Sequence, residues 1–96
     1  MTNDEVVRAF GNGYSARANN LWTNGCVLYS YRLPIALNTG TQILVGNYTA
    51  SDRYYSHTTS KHVGYARRLK GARVITASQF DALGPRLSPE YLHRSY

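Results

Sequence analysis

Residues 53–73 hold six lysines and arginines, three tyrosines and two histidines, without one acidic residue. Those residue types suit one task above others, which is holding a polyanion. Arg53, Lys61, Arg67, Arg68, Lys70 and Arg73 supply positive charge for phosphate groups. Within this stretch, Thr58, Thr59, Ser60 and Lys61 read as the start of a helix. There free backbone N–H groups, the positive end of the dipole, three hydroxyls and an ammonium could converge on an anion. Arg53 lies five residues before Thr58, placed to reach the same phosphate. Tyr54 and Tyr55 stand just ahead of the helix, where rings can stack on unpaired bases or rim an interface. The plainer reading is that Thr58 or Thr59 caps the helix and its neighbours are solvated. Arg67, Arg68 and Lys70 then suit the negative end of the helix dipole.

Other chemistries find less support. His57 and His62 are five apart, not the four that put two ligands on one helical face, and no acid or cysteine cluster accompanies them. No metal and no cofactor is expected. Arginine, lysine, tyrosine and histidine are the tools of small ribonucleases, which need a proton acceptor, a proton donor and charge stabilisation. All occur over 53–68, yet no arrangement among them specifies that reaction, so no catalytic residue is assigned and a non-enzymatic protein is expected. Cys26 is the sole cysteine. Disulfide formation within the chain is excluded, and the "NGCVLY" context suggests a buried, inert thiol at a strand start.

The elements that must position these residues can be read in outline. The 96 residues suit one domain with one modest core, its body over about 3–83 and an irregular tail over 84–96. Eleven Lys/Arg against five Asp/Glu give a net charge of +6, which favours nucleic acid or an acidic protein surface as partner and leaves a homo-oligomer open. No apolar run approaches the roughly 20 residues of a membrane span. The opening "MTNDEVVRAF" has acids where a signal peptide has bases, so a cytoplasmic location is expected.

Thr2 or Asn3 can cap a first helix whose apolar face is Val6, Val7, Ala9 and Phe10, with Gly11 or Gly13 ending it. Asn24-Gly25 between two apolar runs signals a hairpin. The second run alternates Val27, Tyr29 and Tyr31 against Leu28 and Ser30, and Pro34 marks an edge, bulge or break. A further hairpin is expected around Asn38-Thr39-Gly40. The fold class that follows is α+β: a three- to four-stranded antiparallel meander with the N-terminal helix and a basic helix over 59–70 on one face. His62, Tyr65, Ala66 and Leu69 form that second helix's inward stripe, and Gly71 is its C-cap. A short strand over 73–76 and a helical turn capped by Ser78 come next.

The words "VLYSYRLPIAL" and "NYTASDRYYSHTTSKHVGY" resemble a family of small uncharacterised domains encoded by bacteriophages and mobile elements. The likeness covers residues 4–69 and matches nothing beyond Gly71. It implies a setting and no mechanism, since accessory genes of this size encode nucleic-acid binders, host-takeover factors and inhibitors of bacterial defence. The expected function is nucleic-acid binding, to DNA or RNA, through the basic helix. The rivals are a modulator of a host protein such as a defence nuclease, and a small virion or assembly component.

Overall fold

The structure is a computed structural model and describes residues 1–84. The tail expected over 84–96 therefore lies outside the described residues, apart from Gly84. Helix α1 (Asn3–Gly11) begins at a capping box in which Thr2 Oγ1 accepts from the Glu5 N–H and a Glu5 carboxylate oxygen accepts from the Thr2 N–H. Of its apolar residues, Val6, Val7 and Phe10 are buried and Ala9 only in part. Asn12 follows as the C-cap, its N–H donating to the carbonyls of Arg8 and Ala9.

Six strands follow in spatial order β1-β2-β3-β4-β5-β6. These are β1 (Ser15–Arg17), β2 (Leu21–Asn24), β3 (Val27–Ser30), β4 (Leu33–Asn38), β5 (Ile43–Gly46) and β6 (Ala72–Ile75). The first five pair antiparallel as the expected meander. The expectation of three or four antiparallel strands is corrected at both ends. A short β1 of mostly exposed residues was too polar to signal itself, and β6 pairs parallel to β5. Parallel pairing needs a crossover, and helix α2 (His57–Arg67) supplies it.

The turns depart from expectation in detail. Asn24 ends β2 instead of entering the loop, and its Oδ1 accepts from the N–H groups of Cys26 and Val27. The two-residue loop is Gly25-Cys26. Gly25 has φ +98°, and a Cβ there would lie 2.7 Å from the Gly13 carbonyl oxygen. Cys26 is exposed in this loop, not buried in a strand. Tyr31 likewise leaves the strand to form the β3–β4 turn with Arg32. Opposite Pro34 the β3–β4 register shifts between Leu28 and Tyr29, so the proline does mark a bulge.

Register assigns the faces. Leu21, Thr23, Leu28, Ser30, Ala36 and Val45 share one face. Helices α1 and α2 lie there: the Asn38 amide donates to the Phe10 carbonyl at 3.1 Å, and Ser30 bonds to α2. The opposite face carries a cross-strand row of Arg17, Trp22 and Tyr29. Trp22 and Tyr29 stack at 4.1 Å between centroids, and the Arg17 guanidinium sits 5.3 Å from the indole centroid. Helix α3 (Ala77–Asp81) is capped by Thr76, one residue after β6, and not by Ser78. It packs Phe80 edge-on to Tyr48 over Gly46. Central β3 is buried along its whole length.

Candidate functional site

The N-cap of α2 is Ser56, whose Oγ accepts from the Thr59 N–H at 3.1 Å. The capping expected of Thr58 or Thr59 thus falls two or three residues earlier in the chain, and the helix starts at His57. It also ends sooner, at Arg67, with Arg68 as C-cap, and Gly71 (φ +81°) turns the chain into β6 instead.

This start fixes which side chains face inward. Thr59, His62, Val63 and Ala66 are buried, while Tyr65 and Leu69 from the expected stripe are only half-buried. Thr59 Oγ1 bonds to Ser56 Oγ and Ser30 Oγ, and Ser30 Oγ lies 2.7 Å from His62 Nδ1. A serine hydroxyl against an imidazole is also a nucleophile–base contact. Here Ser30 is 1% and His62 2% exposed, and the third member is another hydroxyl, so the network works as a polar clamp between β3 and α2. Burial holds the His62 imidazole below its ordinary value of 6.5, which keeps it neutral.

The residues expected to meet an anion therefore separate. Thr59 is inside the clamp, and Ser60 Oγ is buried without a hydrogen-bond partner among the described residues. Arg53 turns away from α2 and donates from Nη2 to Ser78 Oγ at 3.1 Å, beside Asp52, whose Oδ2 accepts from the Ala77 N–H. Tyr54 and Tyr55 are each 55% exposed, and Tyr55 meets buried Tyr48 edge-on at 5.5 Å. Thr58 is half-buried at the mouth of a cleft.

Lys61, Arg67, Arg68, Lys70 and Arg73 are all exposed. His57, Lys61, Gly64 and Arg68 follow the i, i+4, i+7, i+11 spacing of one outward stripe. Gly64 leaves open space at its centre, since no atom lies within 4 Å of where a Cβ would be. α2 carries no acid. On its α1 side, Arg68 shares a groove with Asp4 and Arg8. Lys70 and Arg73 lie past the far end, roughly 15 Å from the helix start at 1.5 Å per residue.

The structure adds residues that sequence reading passed over. Around the start of α2, two adjoining clefts of about 400 and 430 Å³ meet at the β3–β4 turn and share Tyr31 and Arg32. One reaches Tyr55, Ser56 and Thr58, the other Arg17, Asn19, Asn20 and Trp22. Tyr31 is 49% exposed and is the one non-glycine residue with positive φ (+57°) among the described residues. A tyrosine in that region costs about 1–2 kcal/mol. Its N–H donates to the Asn20 carbonyl at 2.8 Å, and its own carbonyl accepts from Trp22 Nε1 at 2.7 Å. The "LYSY" alternation hid this, because period two carried Tyr31 onto the strand as Tyr29's neighbour.

The class of protein is now defined: an α+β domain whose mixed sheet carries two helices on one face, with basic and aromatic side chains gathered around the second. The chain belongs to a family of unknown function (DUF8033), whose model matches residues 3–82. That match runs through β6 and α3, past residue 69, where the likeness read from the sequence ended. No curated protein matches the chain, and no solved structure does. No helix among the described residues is long and apolar enough to cross a membrane.

Proposed function

We propose that this protein binds nucleic acid without acting on it, through the exposed basic surface of α2 and the segment that follows. The observation that carries this reading is the disposition of Lys61, Arg67, Arg68, Lys70 and Arg73. All five reach solvent, and among the described residues no ion pair holds any of them. Exposed cations without partners release counterions when they meet phosphates, giving affinity with little sequence preference. The outward stripe at Gly64 is flat enough for a phosphate backbone to approach closely. A role as an accessory factor of a phage or mobile element fits a small binder of this kind, acting in the cytoplasm.

The test is fluorescence anisotropy of labelled single- and double-stranded DNA and RNA at low and physiological salt. Binding should weaken linearly in log–log form with salt and fall in a Lys61→Ala/Arg68→Ala variant. No binding to any of the four at low salt would end this reading. Host-lysate capture that survives nuclease treatment would then point to the protein-modulator alternative.

A further inference from the structure

We infer that the pair of clefts at the β3–β4 turn is a site for an unpaired nucleotide, with Tyr31 as the stacking platform and Arg17 and Arg32 as phosphate or base-edge contacts. This rests on the nucleic-acid reading above and makes its ligand single-stranded.

Three independent observations converge on the site. Tyr31 is held at φ +57° with half its surface in solvent. Glycine or asparagine would occupy that backbone more easily, and an exposed ring adds little to a core. Strain kept by surrounding hydrogen bonds, at the residue that divides two clefts, is a mark of function. Second, Arg17 is not a free surface arginine. The Arg17–Trp22–Tyr29 row fixes its guanidinium over the indole at 5.3 Å, so it meets a ligand with less freedom to lose. Third, the lining polar groups read base edges as well as charge. Asn19 and Asn20 offer amides with both donors and acceptors, beside two guanidiniums and a ring.

An unpaired nucleotide matches this set: a flat base for Tyr31, amide-matched edges and an anionic backbone. A duplex does not, because its bases are stacked on one another and cannot lie on a ring. The second cleft leads past Tyr55 to Thr58, one turn before Lys61, so a strand leaving the pocket continues onto the basic stripe of α2.

Trp22 is the only tryptophan in the chain and lines the site, so its fluorescence reports occupancy directly. The experiment titrates the protein with pyrimidine oligomers of about ten nucleotides, as DNA and as RNA, and with the matching duplexes. Single strands should quench or shift Trp22 emission and bind more tightly than duplexes. Tyr31→Gly should keep or raise the melting temperature while weakening single-strand binding by about tenfold, the scale of one lost stacking contact. Arg32→Ala, a surface change, should weaken it too, whatever Tyr31→Gly does to folding. Lys70→Ala should weaken single strands and duplexes alike. If nucleic acid binds but Trp22 emission is unmoved and both Tyr31→Gly and Arg32→Ala bind as the parent does, this site is refuted while the basic-face reading stands. If no oligomer binds at low salt, both fall.

Discussion

His62 shows how a titratable residue can be structural in one state and disruptive in the other. Buried against Ser30 and Thr59, it is held neutral by desolvation. Its folded pKa lies below the unfolded 6.5, so its contribution to stability is complete above that value. Below it the unfolded chain binds the proton first, and the contribution is lost as the pH falls through the folded value. Thermal melts from pH 7.5 to 5 should show a falling midpoint, and His62→Gln should flatten that slope while lowering stability at pH 7.5. A slope unchanged in the variant would place the acid sensitivity elsewhere. Cys26 carries the opposite lesson: its exposure follows from the tightness of the loop, which no property of cysteine announces.

At the scale of elements, two glycines predict opposite outcomes. Gly64 sits mid-helix with open space beside it, so Gly64→Ala should stabilise the fold by about 0.5–1 kcal/mol. A rise in melting midpoint joined to weaker nucleic-acid binding would show that the bare stripe serves contact. Gly46 is the reverse. A Cβ there would lie 2.7 Å from Tyr48 Cε2 and 2.9 Å from Phe80 Cγ, both in fully packed rings. Gly46→Ala should therefore cost about 1–3 kcal/mol, read as a shifted denaturant midpoint with α3 loosened first. Helix α1 depends on its Thr2–Glu5 box, and Thr2→Ala should remove about 1 kcal/mol. The Glu5 contact came with the structure, but a cap at Thr2 or Asn3 could be seen in "TNDE". The Ser56 cap could not, since three following hydroxyls offered equal alternatives.

At the scale of the whole molecule, binding should be governed by charge. Each of Lys61, Arg67 and Arg68 changed to alanine should lower the slope of log affinity against log salt by about one. Slopes unchanged from the parent's in all three would mean that nucleic acid avoids α2.

Legible in the chain alone were the α+β class, strands β2–β5 of the meander, helices α1 and α2 in outline, and the basic segment. These are local properties of periodicity, turn chemistry and charge. Only the tertiary structure decided that β6 returns parallel beside β5, because strand pairing depends on where a crossover lands. It alone sent Arg53 to Ser78 and closed Thr59 into the His62 clamp. It also drew Arg17 of β1, Trp22 of β2 and the turn residues Tyr31 and Arg32 around one cleft, since residues far apart in the chain become neighbours only through register.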